Sequence, residues 1–180
     1  TALDLAEKGR KNPKQTFIVK GGPGTGKSVV AINLIVEATN REMLTQFVSK
    51  NAAPREVFKA RLTGTMRKTH IDNLFRGSGG YTETENNFFD LLVVDEAHNI
   101  APSGSGNYAV ASQRTKVIRE IAPHFQHKLF LTATPHNGYT ESFTSLLEIL
   151  DDQRFSRNIL PDAKQLQKVM IRRLKTDLVD

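Results

Sequence analysis

An α/β fold with a doubly wound, mainly parallel sheet is what this sequence predicts, and three observations predict it. Short apolar runs recur at residues 16–20 (TFIVK), 91–94 (LLVV) and 128–132 (KLFLT), with the length and continuity of strands buried on both faces. Segments of helical period lie between them. Each run ends in a cluster of glycines, acids or hydroxyls, and in open parallel sheets ligands gather at the carboxyl ends of strands. At roughly 100–200 residues per domain, the 180 residues are expected to form a single unit over 1–180 with its own core.

The elements follow in chain order. The strand at 16–20 opens directly onto glycines, and a helix is expected over 28–37. A weaker strand, 46–49 (QFVS), sits between that helix and a helix over 54–60 led by Pro54, since proline is tolerated in a first helical turn. After the run at 91–94, Val117, Ile118, Ile121 and Phe125 share one face of a helix that Pro123 helps to end, because proline cannot continue the hydrogen-bond ladder. The strand at 128–132 precedes a helix over 141–150 whose Phe143, Leu146, Leu147 and Leu150 should pack on the sheet. Leu166, Val169, Met170 and Leu174 repeat that pattern in a final helix. Loops rich in small residues are expected at 77–80 and 102–106.

Composition narrows the function classes. Cysteine is absent, which excludes disulfides and thiolate zinc sites, and His70, His124, His127 and His136 lack metal-ligand spacing. No run reaches the roughly 18–20 apolar residues of a membrane span, and the N-terminus lacks a signal-peptide layout. No membrane partner is therefore expected, and a cytoplasmic monomer is. The net charge of +6 and the pI near 9.7 favour a polyanionic partner such as nucleic acid. The chain begins at Thr1 without a methionine, as a fragment does.

Gly21-Gly22-Pro23-Gly24-Thr25-Gly26-Lys27-Ser28 is a complete G-x-x-x-x-G-K-S between a strand and a helix, the mark of a P-loop NTPase. The chemistry explains the residue types. Gly22, Gly24 and Gly26 let backbone N–H groups, with those of Thr25 and Val29, turn toward phosphate oxygens at a helix N-terminus. Lys27 reaches the β- and γ-phosphates, and the Ser28 hydroxyl ligates Mg²⁺. Asp95-Glu96-Ala97-His98 follows the run at 91–94: Asp95 would hold the magnesium and Glu96 would orient or deprotonate the attacking water. Thr132-Ala133-Thr134 ends the strand at 128–132, and its hydroxyls are placed to bond His98 or the acidic pair and so report the γ-phosphate. ATP and Mg²⁺ are the expected ligands.

Lys27, the DEAH tetrad at 95–98 and Thr132-Ala133-Thr134 resemble motifs I, II and III of superfamily two helicases. From about residue 89 to 180, FDLLVVDEAHNIAP, APHFQHKLFLTATPHNGYTESFTSLLEILD and VMIRRLKTDL resemble the bacterial Swi/Snf-type branch. Residues 1–98, through FIVKGGPGTGKSVVAINLI, VSKNAAPREVFKARL and GTMRKTHIDNLFRGSGG, resemble a bacterial P-loop domain near superfamily one helicases and Schlafen-type proteins. The two resemblances meet near 88–98. They imply a RecA-like three-layer sandwich and an ATP-driven motor on nucleic acid, with double-stranded DNA favoured and a bacterial cytoplasmic setting. They also imply a second RecA-like lobe, outside this sequence, that carries an arginine finger. Without that finger, turnover is expected to fall by about 10³–10⁵. No upstream glutamine motif for adenine is recognised in residues 1–15.

Candidate nucleic-acid contacts are Lys50, Asn51 and Arg55, where such lobes carry a strand-contacting motif, and Arg172 in the basic stretch 154–180. A nucleotide-dependent binding module without significant turnover is the alternative reading. DNA-stimulated hydrolysis distinguishes the two.

Overall fold

Parallel pairing buries both faces of a sheet, so its central strands are expected to be mainly apolar. The computed structural model, which describes residues 14–49, 52–64, 67–75, 85–102, 112–135 and 140–173, contains such a sheet. Strands β1 (Thr16–Gly21), β2 (Thr45–Val48), β3 (Phe89–Val94), β4 (Phe125–Thr132) and β5 (Met170–Arg173) pair in the order β2-β3-β4-β1-β5. Every pairing is parallel. All positions of β4 are buried, as its central place requires.

Helices close both faces. Alternation along the strands sends Val19, Phe47, Leu91, Val93 and Leu131 to one side. There they meet α1 (Lys27–Asn40), α2 (Ala52–Leu62) and α3 (Lys68–Leu74) through Ala31, Ile35, Phe58, Leu62 and Ile71. Ile18, Leu92, Val94 and Phe130 point to the other side. Ile118, Leu146, Leu147, Leu150 and Val169 cover them from α4 (Gln113–Ile121), α5 (Thr140–Leu150) and α6 (Ala163–Val169). The result is the expected three-layer α/β sandwich. Burying each such side chain stabilises the fold by about 1.5–3 kcal/mol, so the two apolar clusters supply most of the gain. Ser112 and Asp162 start α4 and α6 by accepting backbone N–H bonds from Thr115 and Gln165 at 3.1 and 2.7 Å.

Two expectations are corrected. Phe125 does not extend the helical face of Val117, Ile118 and Ile121: α4 stops at Ile121, Pro123 lies in a 3-10 turn (Ala122–His124), and Phe125 opens β4. Its ring stacks on Phe89 of the neighbouring strand, centroids 5.1 Å apart. The final helix is also shorter than its periodicity suggests. It ends at Val169, and Met170, Ile171, Arg172 and Arg173 run as β5 beside β1. The outer edge of β1 otherwise presents unpaired backbone N–H and C=O groups, and pairing them outweighs a weak helical preference. Leu174 and the small-residue stretches at 77–80 and 103–106 lie outside the described residues.

Candidate active site

The three motif-bearing strands β3, β4 and β1 are neighbours, so their carboxyl ends open on one edge of the sheet. After β1 the chain turns through Gly24 and Gly26, both left-handed with φ of 76° and 75°. A side chain at either position would be strained, which is why glycine stands there. Gly26 also caps α1, its carbonyl accepting the Val30 N–H at 3.0 Å. Thr25 closes the turn by donating its hydroxyl to the Gly22 carbonyl at 2.9 Å. Lys27 is 8% exposed, and its ammonium donates to the carbonyls of Gly21 at 2.6 Å and Gly22 at 3.0 Å. Ser28 and Val29 are exposed in the first turn of α1.

The acidic pair sits one strand beyond β4. Asp95 is 7% exposed, and its backbone N–H donates to Val48 at the end of β2. Burial raises its pKa, and the adjacent Glu96 carboxylate raises it further. The Glu96 backbone N–H, the Lys27 ammonium and a hydrogen bond from the Ser49 hydroxyl act in the opposite sense. Lys27 and Asp95 therefore sense each other across the crevice.

Glu96 is held in a left-handed conformation, φ 51° and ψ 47°, which costs a non-glycine residue about 1–3 kcal/mol and must be held by its surroundings. The clamp is Asn99, whose backbone N–H and side-chain amide both donate to the Glu96 carbonyl, at 2.9 and 3.0 Å. This geometry swings the Glu96 carboxylate over His98, with Oε2 3.3 Å from Nδ1.

His98 links the acidic pair to β4. Its Nδ1 lies 3.1 Å from the Thr132 hydroxyl, which donates its own hydrogen to the Thr134 carbonyl at 2.8 Å. Thr132 is then the acceptor, which puts hydrogen on Nδ1 and leaves Nε2 to accept from the Asn99 amide at 3.3 Å. His98, Thr132 and Thr134 are thus joined as the sequence suggests, although Thr134 takes part through its carbonyl.

The expected nucleic-acid contacts fare differently. Lys50 and Asn51 lie outside the described residues, and Arg55 falls within α2. Arg172 is exposed on β5, not on a helix, in register with Lys20, one residue short of the glycine loop. Sequence reading missed Ser49 and Asn99. Ser49 could have been found as the residue after β2, at the strand-end position that the other motifs share. Asn99 carried no signal, because its role depends on the backbone turn at Glu96.

A family model for the Schlafen group 3 DNA/RNA helicase domain matches residues 14–130, well over half of the chain. The chain belongs to the Schlafen group 3 DNA/RNA helicase domain family. The Schlafen-type domain also shares a segment with RNA polymerase-associated protein RapA. It is 42% identical over 67 residues to the proteins of Yersinia enterocolitica and Serratia proteamaculans, covering 37% of this chain and 6% of those relatives. In fold it resembles the Sulfolobus solfataricus SWI2/SNF2 ATPase core in complex with dsDNA. That match has a TM-score of 0.58 at 15% identity, over 89% of this chain and 40% of the other. The domain is thus a RecA-like helicase lobe, and it spans a small part of the RapA proteins and under half of the ATPase core. Among the described residues, no helix is long and apolar enough to cross a membrane.

Proposed function

We propose that residues 1–180 form one ATP-binding and ATP-hydrolysing lobe of a nucleic-acid-dependent motor, of the helicase or translocase type, that acts on double-stranded DNA. The observation that carries this reading is the convergence of the glycine loop, the acidic pair and the threonine strand end on adjacent strands, with His98 bonded to Thr132.

The residues present suit ATP and magnesium. Left-handed Gly24 and Gly26 shape the loop at the start of α1, where Gly22, Thr25, Val29 and the helix N-terminus offer N–H groups to phosphate oxygens. Lys27 exchanges its two carbonyl partners for the β- and γ-phosphates. A buried carboxylate with a raised pKa beside a second carboxylate is short of a cation, so Asp95, with Ser28, fits as the holder of magnesium. Magnesium is usually held by one or two carboxylates together with substrate phosphates. When bound, the ion draws charge from the phosphate oxygens. Glu96 orients the attacking water and takes its proton. His98, Thr132 and Thr134 pass the state of that site to β4.

Lys50, Asn51, Arg55 and Arg172 are the proposed nucleic-acid contacts, supported by the net charge of +6 and the exposure of Arg172. The choice of duplex DNA is supported by the complex in which the SWI2/SNF2 core was solved. A second lobe would supply the transition-state arginine, so this lobe alone should turn over ATP slowly.

Thermal melting with and without Mg·ATP tests the reading. A ligand at 100 times its Kd stabilises by about 2.7 kcal/mol, which at about 2–4 °C per kcal/mol for a chain of this size raises Tm by about 5–10 °C. The shift should vanish in Lys27→Ala. A cooperative melt with no shift in the parent chain retires the nucleotide reading.

A further inference from the structure

A polar cavity lies at the end of the sheet opposite the glycine loop. It has a volume of about 330 Å³, and its charged walls are Lys14 before β1, Arg119 on α4, Lys128 on β4, Glu148 at the end of α5 and Asp152 beyond it. Thr16 pairs with Lys128 at one end of the β1–β4 ladder and Lys20 with Thr132 at the other. At about 3.3 Å per residue, the five residue steps from Thr16 to Gly21 put the cavity some 17 Å from the glycine loop.

The acids here are already engaged. Glu148 pairs with Arg119 at 2.9 Å, Asp152 with Lys14 at 3.6 Å, and Asp151 with Arg154 at 3.3 Å while accepting from Thr16. Lys128 is left over. It is 3% exposed and donates to the Ile149 carbonyl at 3.2 Å, and among the described residues no carboxylate lies within ion-pair distance of it. Burial first, and then the Lys14 ammonium beside it, push its pKa down to about 7, against the weaker pull of Asp152 and Asp151. Lys14, Arg119 and Lys128 thus face two neutralised acids, and the cavity carries one positive charge in excess whenever Lys128 is protonated.

We propose that this cavity is a binding site for a small oxyanion of the sulfate and phosphate class, seated between Lys14, Arg119 and Lys128, and that its binding adds a proton to Lys128. An anion supplies the missing counter-charge and so favours the ammonium form. Because only that form binds, apparent affinity should fall about 50-fold between pH 7 and pH 9, following the protonated fraction of Lys128.

Sulfate is the probe, since its charge is constant over that range and every proton exchanged comes from the protein. Lys27→Ala serves as the background, to keep sulfate off the glycine loop. Calorimetric titration at pH 8 and constant ionic strength, in buffers of low and high ionisation enthalpy, should show saturable binding with uptake of close to one proton. Lys128→Met, which removes a buried charge and should fold, should lose saturable binding at pH 7 and with it the uptake. Lys14→Met should weaken binding and, because the Lys14 ammonium no longer holds the Lys128 pKa down, also reduce the uptake at pH 8. Absence of saturable binding at pH 7 in the Lys27→Ala background, or saturable binding retained when Lys128→Met is added, overturns the proposal.

Discussion

Replacing Lys128 with methionine should stabilise the protein, and by an amount that depends on pH. The lysine titrates near 10.5 when exposed and near 7 in the fold. Between those values the folded chain binds fewer protons than the unfolded chain, so stability rises with pH across the window. The difference of about 3.5 units corresponds to about 5 kcal/mol. That penalty is fully present below pH 7, is about 2 kcal/mol at pH 9, and is gone above pH 10.5. Methionine has a similar length and no charge, but it abandons the Ile149 carbonyl, at a pH-independent cost of about 1–3 kcal/mol. The net gain at pH 7 is therefore about 1–3 kcal/mol. The firmer quantity is the change in the gap between the two proteins, which should shrink by about 2 kcal/mol from pH 7 to pH 9. Urea unfolding of both proteins at these pH values, with slopes of about 1–3 kcal/mol/M, resolves this as a midpoint change near 1 M. Stability curves that stay parallel from pH 7 to pH 9 would refute the reasoning, because they would mean that Lys128 keeps its proton in the fold.

Glu96→Gln should retain the Mg·ATP melting shift and lose hydrolysis by about 10²–10⁴-fold in single-turnover assays; unchanged hydrolysis removes Glu96 from the water-activating role. Asp95 binds its proton more tightly in the fold than in the unfolded chain, so stability falls as pH rises from 3.8 through its raised pKa. Asp95→Asn should accordingly melt above the parent at pH 7 without magnesium, with a smaller gap at pH 4, and equal gaps would contradict that origin. Thr132→Val keeps the shape of a fully buried side chain while breaking both its hydrogen bonds. It should lower stability by about 1–3 kcal/mol and reduce stimulation of turnover by duplex DNA with little change in ATP affinity; full stimulation in the variant would sever the coupling between His98 and β4.

The sequence by itself determined the local pieces. Glycine takes the left-handed turns at Gly24 and Gly26 without strain, so the loop could be read before the fold was known. The runs in β1, β3 and β4 had to be apolar because both faces of a parallel strand are buried, which made the sheet and its three strand-end motifs legible, including the meeting of His98 with Thr132. Tertiary structure decided what depends on a distant partner. Residues 170–173 have helical spacing, yet they complete the open edge of β1, some 150 residues earlier in the chain. The left-handed Glu96 is clamped by Asn99, and Ser49 reaches Asp95 only because β2 lies beside β3. Lys128 reads as an ordinary lysine at the start of an apolar run. Its burial comes from α4, α5 and the segment before β1 closing around β4, and the physical reason is general: propensity and periodicity act between near neighbours, whereas desolvation and charge act through space.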